Sequence, residues 1–373
     1  MSLLDGTETQ TYDPVRQDLD ATSDVAASHW PMNAWYAAAY DVEVGRRLTP
    51  VRVAGVPIVL YRRVDGRAVA LADACWHRLV PLALGSLEGD DVRCGYHGIR
   101  YSPEGRCTHM PAQQTINPSA AVRSYPVAER HRFVWVWPGD PALADPATIP
   151  DMHWNDDAAW VADGKVIEVR AGYQLVLDNL LDLTHEEFIH TSSIGNGALS
   201  ESDFTTTHDS ASGRVTVTRW MLGIEAPPLW KYLLSVKFPD YRGPVDRWQI
   251  IRFTAPATIC IDVGVAKAGT GAPEGDRSQG VNGYVLNTMC PTGPKSCRYL
   301  WAIARDFATD SQRITTELRE GVAGVFAEDE AMLNAQQAAI DATPGYDFYN
   351  LNIDAGGQWA RRLITAMVER ERM

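Results

Sequence analysis

The chain has 373 residues, 45 % of them apolar and 22 % charged, an ordinary composition for a folded enzyme of about two domains. Asp and Glu outnumber Lys and Arg by 47 to 34, a net charge of −13. That balance argues against a nucleic-acid or anionic-membrane binder, because both partners need a basic surface. No run approaches the roughly 20 apolar residues of a membrane helix. The polar, acidic N-terminus lacks the pattern of a secretory leader. The expected location is the cytoplasm, where six cysteines read as thiols or metal ligands rather than a disulfide framework.

Residues 1–32 are rich in Asp, Thr and Ser without periodicity, and a flexible arm is expected there. Short β patterns follow at 51–54, 58–62, 68–72 and 133–137, separated by Gly55, Gly66, Gly89 and Gly105. Pro57 sits just before the second run. These predict a small antiparallel β domain over 33–150, closed by a Pro/Ala/Asp linker from 138. Residues 151–373 change character. A Leu-rich helical pattern covers 173–187, a turn is expected at 210–213, and Val215, Val217 and Arg219 alternate with Thr216 and Thr218. Further strands are expected at 248–254, 258–265, 284–289 and 299–305, and one long amphipathic helix at 310–341. The fold class is α+β: a small β domain, then a curved antiparallel sheet packed on a long helix. No internal repeat, Walker loop or dinucleotide-binding glycine pattern is present.

Cys75-Trp76-His77 and Cys94-Gly95-Tyr96-His97 each supply one thiolate and one imidazole. A zinc finger pairs its cysteines in one knuckle and its histidines in another. Two mixed pairs on turn-rich loops suit a [2Fe–2S] cluster with thiolates on one iron and imidazoles on the other. A zinc site or four unrelated residues are the alternatives. Cys107, Cys260, Cys290 and Cys297 read as small core residues.

A second polar set, Asn179, Asp182, His185 and His190, interrupts the Leu-rich pattern. Asp182 and His185 are three apart and are expected on one helix face. His185 and His190 are about 140° apart on an ideal helix, so a break between them is expected, with 190–193 leaving the helix. The long C-terminal helix offers a third ligand. Its apolar stripe runs Leu318, Val322, Val325, Asp329, Met332, while Glu328 and Glu330 fall to either side and are expected in solvent. A carboxylate on an apolar stripe is costly unless paired or metal-bound. Asp329 is the candidate; a structural partner for a buried Arg or a helix terminus is the alternative. Two His and one carboxylate on Fe(II) leave positions open for O₂.

The Cys-x-His and Cys-x-x-His pairs, followed by Asn-x-x-Asp-x-x-His-x-x-x-x-His, resemble the oxygenase components of Rieske non-haem iron oxygenases. Trp76 and Gly95 stand where the family usually has Pro. Asn33-Ala34-Trp35-Tyr36 and the 137–146 and 178–183 segments resemble the vanillate O-demethylase and dicamba monooxygenase subgroup. The resemblance covers about 33–340. It implies a helix-grip catalytic domain, a Rieske cluster on Cys75, His77, Cys94 and His97, and mononuclear iron on His185, His190 and Asp329. It further implies that Asp182 links His185 to His97 of a neighbouring subunit in a homotrimer, with Asn179 beside the iron and Asn287 as a polar substrate contact. An aromatic wall of the dicamba enzyme would fall at Glu320, a departure from that pattern. The implied reaction uses O₂ and NAD(P)H electrons, delivered by a separate reductase or ferredoxin, to hydroxylate a small aromatic substrate. Oxidative O-demethylation of an aromatic methyl ether or acid is the leading form. Ring dioxygenation and N-demethylation are alternatives within the family, and a non-enzymatic electron carrier is the alternative outside it.

Overall fold

The structure, a computed structural model, describes residues 30–190, 194 and 202–373. Most of the expected arm (1–29) and the 191–193 segment expected to leave the helix lie outside the described residues. No helix among the described residues is long and apolar enough to cross a membrane.

The first half is built from short strands: β1 (Tyr36–Tyr40), β2 (Thr49–Val53), β3 (Val56–Arg62), β4 (Ala68–Ala72), β5 (Ser86–Glu88), β6 (Asp91–Arg93), β7 (Arg100–Tyr101), β8 (Cys107–His109), β9 (Ser124–Tyr125), β10 (Val127–Arg130) and β11 (Phe133–Val136). They form sheets ordered β2-β3-β4-β9, β5-β6-β7-β8 and β1-β11-β10. The four expected strands are β2, β3, β4 and β11. Strands β5 to β10, two to four residues each, are too short to show alternation in sequence. Pro57 lies inside β3 opposite Arg52 rather than ahead of the strand. Val59, Tyr61, Leu71, Leu82, Val92 and Tyr101 bury one core together with Cys75 and Cys94. The linker from 138 is ordered by two short helical turns, Pro141–Leu143 and Pro146–Thr148. Asp140 and Asp145 each accept the N–H two residues on at 2.9 Å, and Pro follows each cap.

The second half holds a seven-stranded antiparallel sheet of β12 (Val161–Val169), β13 (Phe204–Asp209), β14 (Arg214–Ile224), β15 (Val245–Thr254), β16 (Thr258–Lys267), β17 (Gly280–Gly293) and β18 (Ser296–Arg305). Its order is β12-β18-β17-β16-β15-β14-β13. Helices α1 (Tyr173–Leu181), α2 (Glu186–Ile189), α3 (Pro228–Lys237), α4 (Gln312–Ala342) and α5 (Ala355–Arg372) accompany it. The period-two pattern divides the sheet into two apolar faces. Val215, Val217, Ile251, Ile261 and Ile303 belong to the core shared with α1, α4 and α5. Leu286, Leu300 and Ala302 pack on the opposite side against Ala37, Phe133 and Trp135 of β1 and β11. The α+β class therefore stands.

Helix α4 buries Ile314, Leu318, Val322, Val325, Phe326, Asp329 and Leu333. Met332, expected on the stripe, is 54 % exposed; the 3.6-residue period has carried the buried face on to Leu333. Helix α5 was not among the expected elements. It buries Ala360, Leu363, Ile364 and Val368, and Glu371 near its end accepts the N–H groups of Met32 and Asn33 at 2.8 and 2.7 Å. The end of the chain thereby holds the start of the β domain.

Candidate active site

The two Cys/His loops share one backbone plan. Cys75 N–H donates to Val80 O at 2.9 Å, and Leu79 N–H returns to Cys75 O at 2.8 Å. Cys94 N–H donates to Ile99 O at 2.8 Å, and Gly98 N–H returns to Cys94 O at 3.0 Å. In both loops the residue four after the cysteine has positive φ, +58° at Leu79 and +74° at Gly98. Each loop thus turns its thiol inward, and both thiols are 2 % exposed. Burial pushes the Cys94 thiol up, and the neighbouring Cys75 adds to the shift. Tyr101 Oη lies 3.1 Å from Cys75 Sγ. The imidazoles of His77 and His97 stand at the surface with ring centroids 4.7 Å apart. Two buried sulfurs behind two paired, exposed imidazoles are a donor set that fits a cluster with one sulfur-ligated and one nitrogen-ligated iron.

The second set gathers where α1 breaks. Asp182 adopts φ −119°, ψ 98°, and one 3₁₀ turn (Leu183–His185) leads into α2. The break therefore falls at Asp182, ahead of His185, and these two residues do not share a helix face as expected. Asp182 Oδ1 instead caps Thr184 N–H at 2.9 Å, while its main-chain carbonyl lies 2.6 Å from His185 Nδ1. Helix α2 ends at Ile189, and His190 leaves the helical conformation. This geometry solves the five-residue spacing: Nε2 of His185 and of His190 lie 3.3 and 3.2 Å from the same atom, Asp329 Oδ1. One ligand atom from each of the three residues lies within 4.8 Å of the others. Asn179 Nδ2 donates to Asp329 Oδ1 at 3.1 Å and lies 3.4 Å from His185 Nε2.

Burial raises the Asp329 carboxyl, but the two imidazoles outweigh it and hold the group down to about 2. Burial depresses both imidazoles, but Asp329, helped by Glu186 and, at His190, by Glu328, more than offsets this, so both end above their ordinary value. Both Nδ1 atoms are engaged, leaving two Nε2 atoms and a carboxylate converging on one point. That fits a two-His, one-carboxylate iron site. Glu328, expected in solvent, lies with Oε2 2.6 Å from His190 Nδ1; a residue one step along a helix is only about 100° away, within reach of the same ring.

Sequence reasoning missed what fixes α2. Glu186 is 4 % exposed and pairs with Arg247 at 2.9 Å and with Gln249 at 2.9 Å. Arg219 Nη2 donates to Thr184 Oγ1 at 3.1 Å. The legible signal was three polar residues, 219, 247 and 249, at inward positions of strands with apolar alternates. Asn287 is fully buried. Its Nδ2 donates to Ile259 O and Val285 O at 3.1 Å, and its Oδ1 accepts from Tyr299 Oη at 2.6 Å. Tyr299 packs on Phe326 and, with Phe326 and Asn179, lines a small cavity that reaches Asp329. Glu320 is on the surface of α4, paired with Lys165 at 2.5 Å.

A Rieske-type β domain joined to a sheet-and-helix domain with a two-His, one-carboxylate trio defines a Rieske oxygenase component. Residues 34–126 match the Rieske [2Fe-2S] domain and residues 169–370 the vanillate O-demethylase oxygenase C-terminal domain. The chain is 42 % identical to a vanillate O-demethylase oxygenase subunit of a Pseudomonas species, over 84 % of this chain and 95 % of that protein. It is 36 % identical to the toluene-4-sulfonate monooxygenase iron-sulfur subunit of Comamonas testosteroni, over 91 % and 97 %. Crystalline dicamba monooxygenase bound to dicamba superposes with a TM-score of 0.82 at 30 % identity, over 92 % of this chain and 98 % of that one. The chain belongs to the vanillate O-demethylase oxygenase family, and its cofactors are a Rieske [2Fe–2S] cluster and mononuclear non-haem iron.

Proposed function

We propose that the chain, divided at about residue 150 into a Rieske and a catalytic domain, O-demethylates a small aromatic methyl ether or acid with electrons from a separate reductase or ferredoxin. Cys75, His77, Cys94 and His97 would hold the cluster; His185, His190 and Asp329 would hold the iron. When bound, the cluster relays electrons, and the iron supplies O₂ activation and hydroxylation of a substrate C–H bond. The hydroxylated methyl ether is a hemiacetal, which collapses to a phenol and formaldehyde.

The protein's own part is positioning. Asn179 holds Asp329 Oδ1 through an N–H donor, so the carboxylate keeps one orientation. Tyr299 and Phe326 form an aromatic wall of the small cavity that reaches Asp329. Asn287 acts on that wall through the Tyr299 hydroxyl, since both of its amide ends are spent on internal partners. His77 and His97 stand exposed on the β domain, which supports electron transfer outward to the Asp182 of an adjoining copy in a homotrimer. The observation that carries the reading is the convergence of His185, His190 and Asp329 in a chain that also holds the separate Cys/His set. A pure electron carrier has no use for that trio.

The test supplies NADH, a reductase, O₂ and a panel of aromatic acids and methyl ethers, scored for formaldehyde. Stoichiometric formaldehyde and phenol support the reading; a cis-diol product without formaldehyde would assign ring dioxygenation instead.

A further inference from the structure

Two neighbours on α4 bracket one imidazole. Asp329 Oδ1 lies 3.2 Å from His190 Nε2, and Glu328 Oε2 lies 2.6 Å from Nδ1 of the same ring. Consecutive helix residues diverge by about 100°, so their side chains can straddle a ring laid across the helix. His190 is 1 % exposed, whereas the Glu328 side chain is 44 % exposed. The carboxylate thus reaches inward from the rim of α4 to a buried ring.

The two candidate ligand histidines are anchored differently. His185 Nδ1 faces a neutral main-chain carbonyl of its own segment, at 2.6 Å from Asp182 O. His190 Nδ1 faces an anionic side chain on a different helix. His190 is also the residue at which α2 ends, with φ −105° and ψ 35°.

We propose that Glu328 is a positioning residue for the mononuclear site: its carboxylate accepts the Nδ1–H of His190, fixes the tautomer with Nε2 unprotonated, and aims that atom beside Asp329. This inference rests on the reading of His185, His190 and Asp329 as the iron site. An anionic acceptor on the far nitrogen makes an imidazole a stronger ligand and holds its plane. Glu328 touches neither substrate nor iron. Its action runs through His190.

The test measures Fe(II) affinity and Fe(II) release rate on full-length enzyme stripped of mononuclear iron but retaining its Rieske cluster. Five variants are compared with the parent: Glu328→Ala, Glu328→Gln, Glu328→Leu, Asp329→Ala and Glu320→Gln, the last an exposed carboxylate of the same helix. Glu328→Ala is expected to bind Fe(II) about 10-fold to 100-fold more weakly, the usual range for a lost outer partner of a ligand. Glu328→Gln keeps a neutral acceptor and recovers most of the affinity, and Glu320→Gln matches the parent. Melting temperatures of the iron-free proteins stay together, which separates positioning from support of the fold. Fe(II) affinity of Glu328→Ala within twofold of the parent overturns the inference, as does an equal loss in Glu320→Gln. If the parent takes up no Fe(II), or Asp329→Ala takes up as much as the parent, the site reading itself fails and this inference with it. Glu328→Leu, close in volume but without an acceptor for the His190 Nδ1–H, is expected to lose affinity as the Ala variant does, and it decides the matter by the same twofold limit if the Ala variant does not fold.

Discussion

Arg247 Nη2 donates to Glu186 Oε2 at 2.9 Å, and both side chains are almost wholly buried, at 2 % and 6 % exposure. The pair ties β15 to the one-turn helix that lies between the candidate iron ligands His185 and His190. Removing one member leaves an uncompensated charge inside the protein, which typically costs about 3–5 kcal/mol. Arg247→Met is therefore expected to lower unfolding free energy in urea by about that amount. The double variant Arg247→Met with Glu186→Gln should recover part of it, because the stranded charge is gone.

Gly95 leaves no room for a side chain: a Cβ there would stand 2.4 Å from the carbonyl oxygen of Leu84. That carbonyl is main chain and cannot swing aside. Gly95→Ala should force the Cys94–Ile99 loop away from its partner, with loss of the visible absorption of the Rieske cluster. Iron content should fall toward one per chain if the other site is intact.

Tyr299→Phe removes the hydroxyl that donates to Asn287 Oδ1. A buried acceptor without its donor costs about 1–3 kcal/mol. The same change alters the wall beside Asp329, so KM for the aromatic substrate should rise while the iron content remains at the parent's value. Thermal unfolding and steady-state kinetics check the two halves separately.

Asp182 sits at the break between α1 and the His185 turn, with its carboxylate capping Thr184. If Asp182 links the two metal centres across subunits, Asp182→Asn should slow electron transfer between them at least about tenfold, one pKa-sized step of 1.4 kcal/mol. Stopped-flow oxidation of the reduced cluster reads this directly. An unchanged rate would remove Asp182 from the route.

The candidate cluster ligands stood out in the sequence because four uncommon side chains at fixed spacing depend little on tertiary context. Asp329 was legible for a different reason: an acid on the apolar stripe of a long helix stands out against its period. Strands near β14 to β18 were expected from their apolar runs and, at 215–219, from alternation, and the α+β class followed from those strands and the long helix. What could not be read was local geometry set by long-range partners. The break at Asp182 depends on Thr184 and Arg219 meeting across 35 residues. Glu328 is exposed as expected, but helical phase alone does not say that its carboxylate meets a ring lying across the helix. The family resemblance made Asn287 a substrate contact; only the pairing with Tyr299 on the neighbouring strand shows its side chain held by internal partners.

The most direct test counts iron in the purified, fully loaded enzyme alongside its Asp329→Ala variant. Three irons per chain in the parent and two in the variant, with the Rieske absorption identical, is the expected result. Two irons in the parent, or three in both proteins, would contradict a second iron centre at His185, His190 and Asp329.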